Sequence, residues 1–450
     1  MSEQTPLTPH PESGAPFVSL VTGPVGPTEK APPRVVWGMA LAQFGLFVAL
    51  LAPVTVSLAI KMTALFPEDL QAAAAANGEV QAIAAFVALA ANPIVGRLSD
   101  YTTSRFGRRR PWMFGGAIGF VIALAIVAIA SSVPVVLIGW MLAQLFGNII
   151  LAPLLTTIAD QVPESQRGRV SANVGIMQNL GILAAAYVAA WFVGNMFLLF
   201  VLPAAFAAAV VILYCFLLPD KVITEKPKED GGLRLLLMTF WVNPVKYPDF
   251  AWVWISRFLL YLSNFLFIVY RLFFLKVEVH LSTEDAVGIF TTGVLINTVT
   301  LVVFAWIGGW LSDRTSNRKA FVIAATVLFA IGIGLLSATS TVPMFYLVEI
   351  LMGAGMGVYT AADTALVVDV LPNPDDSAKD LGVLNIANAL PQSLAGLVGT
   401  MLLGIGNTPD GNYNALFVGA GVLAFLGALT ILPVRSTARR HADAEAKAHA

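Results

Sequence analysis

Apolar residues fill this chain in twelve long blocks, at residues 34–60, 80–98, 111–131, 134–159, 170–194, 196–218, 250–276, 286–311, 320–339, 343–368, 381–404 and 414–434. A helix rises about 1.5 Å per residue and a bilayer's hydrocarbon core is about 30 Å thick, so a block of about 20 apolar residues is long enough to cross it. The pattern predicts an all-α membrane protein of twelve transmembrane helices, with polar positions gathered mainly in the connections. The longest polar interruption, 219–249, divides the blocks six and six. The predicted organisation is a disordered Pro-, Ser- and Thr-rich tail at 1–33, a six-helix bundle at 34–218, a linker at 219–249, a second bundle at 250–434 and a charged tail at 435–450.

Composition agrees with this reading. The chain is 57% hydrophobic and 12% charged, too little polar surface to cover a water-soluble globule of 450 residues. Its net charge is -1, and no nucleic-acid partner is expected. Charge does fix an expected orientation. With residues 1–33 in the cytoplasm, 22 of the 26 Lys and Arg fall on the cytoplasmic side, Lys61 and Lys276 fall outside, and Arg257 and Arg271 lie within the seventh block. That asymmetry obeys the positive-inside rule and predicts a multi-pass protein of the cell membrane with both termini cytoplasmic. No early apolar core with a cleavage site suggests a removable signal peptide. The single Cys215 cannot form an internal disulfide and is assigned to packing.

One polar loop has an echo. GRLSDYTTSR at 96–105 returns as GWLSDRTSNR at 309–318, and a weaker pair joins IADQVP at 158–163 to VVDVLP at 367–372. Both echoes match equivalent helix ends six helices apart. They predict two halves related by duplication, the arrangement suited to alternating access around a site near the midplane.

The loop also carries a family resemblance. Gly96-Arg97-Leu98-Ser99-Asp100 followed by Arg105-Phe106-Gly107-Arg108-Arg109-Arg110 resembles the signature loop of the major facilitator superfamily, and 309–318 fits as its weaker copy. The fuller run Pro93-Ile94-Val95-Gly96, Ser99-Asp100 and Thr103 through Pro111 is similar to the plant sucrose/proton symporters and the glycoside-pentoside-hexuronide:cation symporters. Gln43-Phe44-Gly45 and the Asn148, Pro153, Ala159-Asp160 spacing add to that likeness, which is dense over about the first 165 residues and thin beyond. It implies a major facilitator fold and a secondary transporter, proton-coupled and taking up a sugar or glycoside.

The resemblance also implies a latch. A carboxylate at the end of helix 2 can pair with loop arginines and face the positive N-terminal end of a helix in the other half. Asp100 is expected to do this against helix 11, near Asp380. Gly96, Arg105 and Arg108, with Asp313 and Arg318 in the copy, complete the expected gate set. Arg109 and Arg110 are expected to serve mainly topology and lipid attraction.

Two departures from the family alter the coupling expectation. Plant sucrose symporters place an Asp where this chain has Gln144 and an Arg where it has Leu155. Helix 2 has no acid between Val80 and Gly96, where sodium-coupled melibiose-type relatives use carboxylates, so the expected ion is a proton. Charges within the blocks occur elsewhere. Arg257 and Arg271 in helix 7, and Glu349 and Asp363 in helix 10, are each spaced by 14 residues, about 40° short of four turns and so on one face. Because the two helices run oppositely, Arg257 is expected at the depth of Asp363 and Arg271 at that of Glu349. Uncompensated charge at such depth is costly, so pairing is expected, either as a structural ladder or as a coupling site. No His lies in any block, which leaves Asp363 or Glu349 to carry a proton.

The remaining polar residues of the blocks are amides and hydroxyls, among them Asn173, Gln178, Asn297, Asn385 and Gln392. Gln43, Gln144, Asn148, Tyr261, Asn264, Tyr359 and Asn388 are the substrate candidates, since neutral donors and acceptors suit a polyhydroxylated molecule stripped of water. Nothing points to a cofactor or a metal, and the expected functional unit is a monomer in the bilayer. An efflux carrier for a drug or secreted metabolite is the alternative, disfavoured by the absence of Pro from 174–194. A prenyltransferase-like enzyme is suggested by Asp375, Asp376 and Asp380. It is set aside because the matching first-half loop, PESQRGRVS, offers one acid and two arginines where a second magnesium-binding cluster is needed.

Overall fold

The computed structural model describes residues 30–220, 222, 242–315, 317–338, 341–371, 377–406 and 411–434. Twelve helices are long and apolar enough to span a membrane. We number them α1 (Pro33–Leu65), α2 (Leu70–Asp100), α3 (Arg110–Ile129), α4 (Val133–Gln161), α5 (Glu164–Trp191), α6 (Met196–Leu217), α7 (Pro248–Val277), α8 (Thr283–Thr315), α9 (Arg318–Leu335), α10 (Val342–Val370), α11 (Ser377–Leu403) and α12 (Tyr413–Thr430).

Several helices begin or end away from the apolar blocks, and the reasons are local. α2 starts about three turns early because Leu70–Ala76 is Ala-rich, a strong helix former of middling hydropathy, and Asp69 caps it by accepting from the Ala72 amide at 2.8 Å. The extension brings Glu79 into the helix, at an exposed position. α1 runs on to Leu65, so Lys61 is a buried helical residue and not part of an outer loop. Its ammonium donates to the Ala128 carbonyl at 2.8 Å at the C-terminal end of α3, where a cation opposes the helix dipole. Within α1, Pro53 has no amide to donate and the ladder widens to a π turn over Pro53–Ser57, with the Leu58 amide reaching the Pro53 carbonyl.

The packing repeats itself. In the first half α1 lies against α5 and α6, α2 against α4, and α3 against α4 and α6. In the second half α7 lies against α11 and α12, α8 against α10, and α9 against α10 and α12, the same scheme six helices on. α2 meets α11 and α5 meets α8, so the two junctions between halves are also copies of each other. Lipid is as apolar as leucine, so contact between such helices depends on close van der Waals fit and interhelical hydrogen bonds. At α8–α10 a Cβ on Gly357 would stand 2.3 Å from the Leu301 carbonyl oxygen, showing how near the backbones come. Trp37, Trp191, Trp306 and Trp310 stand largely exposed, as apolar rings facing lipid or its interface do.

The helices alternate in direction, which defines two ends. The α2–α3 loop, the α4–α5 loop and the end of α6 share one end, called here the arginine end. Residues near Gly78, Ala186 and Gly396 belong to the other, the far end.

Candidate functional site

Polar groups gather in two places: a charged corner at the arginine end of the first half, and an interior set divided between the halves.

The corner is built around Arg109. Gly107 turns the chain with φ +99°, a conformation that favours glycine, and sends Arg108–Arg110 back toward the ends of α2 and α4. Arg109 is only 3% exposed. Its guanidinium bonds Asp100 Oδ1 at 2.5 Å, Asp160 Oδ2 at 3.1 Å and the Ser99 hydroxyl at 2.5 Å, while Arg108 takes the other oxygen of Asp160. The backbone amides of Arg109 and Arg110 donate to Asp220 Oδ2 at 2.7 and 2.9 Å, placing a carboxylate on the N-terminus of α3. The Arg110 guanidinium bonds the Leu218 carbonyl and Gln161 donates to the Pro219 carbonyl at 3.1 Å, so the chain leaving α6 is fastened to the corner.

The arginines of the loop take different places here. Arg109, expected to be mainly topological, is the buried hub. Arg105, expected in the latch, points outward, is exposed and stacks over the Phe106 ring at 4.8 Å. The physical reason is the turn at Gly107, which reverses direction after Arg105. Gly96 leaves open space around its Cα, and Asp100 keeps 47% of its side chain exposed beside Arg109. The side chain of Asp380 lies outside the described residues, as do Asp375 and Asp376. In the second half Asp313 is exposed and forms no ion pair among the described residues, while Arg318 donates to the Ala365 carbonyl at 3.0 Å.

The interior set is neutral in the first half. Asn92 donates to Asn148 Oδ1 at 3.1 Å, and Asn148 donates to the Gln144 carbonyl at 2.8 Å, linking α2 to α4. Gln43 on α1 is buried with its Oε1 lacking a partner among the described residues. Asn92 was not singled out from the sequence, although a lone amide just before Pro93 in an apolar run was the available signal. Asn173 is half-buried, Gln178 is exposed, and the side chain of Asn385 lies outside the described residues.

The second half carries charge. Arg257 on α7 bonds Asp363 on α10, with Nε 3.0 Å from Oδ2 and Nη2 on the same oxygen. The Tyr359 hydroxyl, one turn away, donates to Asp363 Oδ1 at 3.1 Å. Arg271 bonds Glu349 at 3.0 Å, and Asn297 donates to the Glu349 backbone carbonyl at 3.1 Å. The two pairs differ in access. Arg257 is 12% exposed in its side chain against 6% for Arg271, and Arg271 Nε and Glu349 Oε2 are sealed without partners among the described residues. Tyr261, Asn264 and Gln392 are half-buried, and Asn388 holds a buried Oδ1 with no partner among the described residues.

Chemically, the arrangement offers hydrogen-bonding groups without charge on one side and a carboxylate held by arginine and tyrosine on the other. No group of three or more His, Cys, Asp or Glu that could hold a metal occurs among the described residues.

Comparison with known proteins fits this geometry. The nucleoside transporter NupG, in a mutant form, superposes with a TM-score of 0.71 at 15% identity, covering 89% of this chain and 99% of that one. A D-xylose-proton symporter superposes with a TM-score of 0.66 at 17% identity, covering 90% and 98%. A triacylglyceride transporter of Mycolicibacterium hassiacum is 30% identical over 155 residues, 33% of this chain and only 28% of that protein's length. The family model of the Major Facilitator Superfamily matches residues 35–307 and again 253–450. The chain belongs to the Major Facilitator Superfamily and is a multi-pass membrane transporter, a carrier and not an enzyme.

Proposed function

We propose that this transporter moves a small polyhydroxylated substrate, a sugar or glycoside, into the cell by alternating access, coupled to a proton carried by Asp363. The observation that carries the reading is the Arg257–Asp363–Tyr359 cluster. A carboxylate at this depth has two stable conditions: ionised against Arg257, or protonated with the arginine turned to another acceptor. Exchange between them is a coupling step, provided water or substrate reaches the pair in one state. The partial exposure of Arg257, 12% against 6% for Arg271, favours this pair over Arg271–Glu349, although Asp363 itself is buried and must gain access in another state. The neutral groups Gln43, Gln144 and Asn148 of the first half and Tyr261, Asn264 and Asn388 of the second suit a substrate whose hydroxyls must each find a partner. Similarity of fold to a D-xylose-proton symporter and a nucleoside transporter supports the class of substrate. The basic corner supports a cytoplasmic arginine end, with Asp100 and Arg109 as the gate there.

The test is transport in proteoliposomes. Wild-type protein is expected to exchange a sugar against itself and to concentrate it when a pH gradient is imposed. Asp363→Asn is expected to keep exchange and lose accumulation. Accumulation by the double variant Asp363→Asn with Arg257→Gln would sink the coupling role and leave the pair as scaffolding. A second reading, export of a hydrophobic metabolite, is favoured by the short match to a triacylglyceride transporter. Proton-driven efflux of lipid-like cargo with no sugar counterflow would establish it instead.

A further inference from the structure

At the far end the two halves meet through glycine. A Cβ on Gly396 of α11 would lie 1.9 Å from the carbonyl oxygen of Gly78 on α2, so backbone rests on backbone across the junction. Tyr270 of α7 fills the space beside it. Its hydroxyl donates to the Gly396 carbonyl at 2.8 Å and stands 3.2 Å from Thr400 Oγ1. A Cβ on Gly78 would be 2.1 Å from that hydroxyl, and one on Gly399 would be 2.0 Å from the ring. Three glycines on two helices of different halves therefore shape a socket, and one fully buried tyrosine occupies it.

The next residue is Arg271. Its guanidinium lies between the rings of Phe267 at 4.9 Å and Phe290 at 4.3 Å, and it bonds Glu349, whose backbone is held by Asn297. The turn that carries Tyr270 is thus tied to α8 and α10 as well as packed on α11. On the other side of the molecule the copied junction is looser: Thr291 of α8 donates to the Ala186 carbonyl of α5 at 3.3 Å.

We propose that Tyr270 is the positioning residue of the far-end gate, seated in the socket of Gly78, Gly396 and Gly399 when that end is shut, and that the Arg271–Glu349 pair aims it. Opening the far end must part α2 from α11, because their backbones touch there. Tyr270 belongs to the same half as α11, so it leaves with α11 and uncovers Gly78. The pair in helix 7 and helix 10 that matches Arg257–Asp363 in spacing is then a buttress and moves no proton. This rests on the transporter reading above but on neither its substrate nor its coupling ion.

The experiment measures the gate directly. Spin labels on Glu68→Cys and Glu284→Cys, both exposed at the far end, report the separation of the halves in full-length protein with Cys215→Ala. Gly396→Ala, which cannot close, is expected to shift the distance distribution to longer values, changing the ratio of open to closed by about tenfold or more. Tyr270→Phe keeps the ring and loses the hydroxyl; it is expected to shift the ratio the same way by a smaller factor, with KM for counterflow unchanged and its rate altered. Should Gly396→Ala fail to fold, Tyr270→Phe decides, since it preserves volume. A wild-type distance distribution in folded Tyr270→Phe overturns the role of Tyr270. Distances respond even if no sugar is transported, so failure of the substrate reading is seen separately.

Discussion

The two halves share one packing scheme and spend their polar residues oppositely. At the arginine end the first half holds Asp100, Arg108, Arg109, Asp160 and Asp220 in one connected set, and in the copied loop Asp313 is exposed with no ion pair among the described residues. Among the buried and half-buried polar groups the first half has the amides Asn92, Gln144 and Asn148, with Lys61 near the far end on a backbone carbonyl, and the second half carries two ion pairs. Duplication supplies the scaffold twice, but a moving carrier needs each task once. The first half provides a corner to which the end of α6 is fastened, and the second half holds the buried pair proposed above to carry the proton.

The largest effect is expected where charge is most deeply sealed. Glu349→Gln strands Arg271 and is expected to cost about 3–5 kcal/mol, read as a fall in the thermal unfolding midpoint in detergent. Adding Arg271→Gln should recover most of it, and a double variant as unstable as the single would show that charge is not the cause. Asp363→Asn should cost less than Glu349→Gln because Arg257 retains some access. Equal losses would erase the distinction drawn between the two pairs.

Next comes the corner. Arg109→Ala removes three side-chain contacts at once and leaves Asp100 and Asp160 facing each other with Arg108 alone, an expected loss of about 2–3 kcal/mol. Arg105→Ala, by contrast, should stay within about 0.5 kcal/mol, as should Asp313→Asn in the copied loop. A comparable loss at Asp313 would mean that the halves are not divided in this way. Gly107→Ala is expected to cost about 1–3 kcal/mol for its positive φ, and more because the new Cβ would lie 2.2 Å from Asp220 Oδ2. Asn92→Ala is expected to cost about 1 kcal/mol for one hydrogen bond lost beside Asn148, measured in the same unfolding assay and still above the change at Arg105 or Asp313.

What the sequence made legible follows from which forces are periodic. Apolar blocks gave all twelve helices, because membrane crossing is set by length and hydropathy, both local properties. The 14-residue spacings on α7 and α10 placed two ion pairs correctly, because a helix fixes the face on which a side chain emerges and lipid forbids leaving the charge alone. The arginine corner was only partly legible. Its charges were visible, but the choice of Arg109 over Arg105 depends on a single left-handed turn at Gly107, and the role of Asp220 depends on contact across 111 residues of chain. Lys61 was misplaced for a related reason: a cation near a block's end looks like a loop residue until the neighbouring helix end that receives it is known. The tyrosine socket could not be read at all, since it needs two helices from different halves to touch.

The fastening of Leu218, Pro219 and Asp220 bears on where this chain can be divided. If the halves were expressed as two polypeptides, a cut just after α6 at Leu217 would take Asp220 away from the first fragment and leave the N-terminus of α3 without its carboxylate. A cut placed beyond Asp220 would keep it. The first half, as a physical object, therefore extends at least three residues past its last helical residue, and fragments that keep Asp220 are expected to reassemble better than shorter ones.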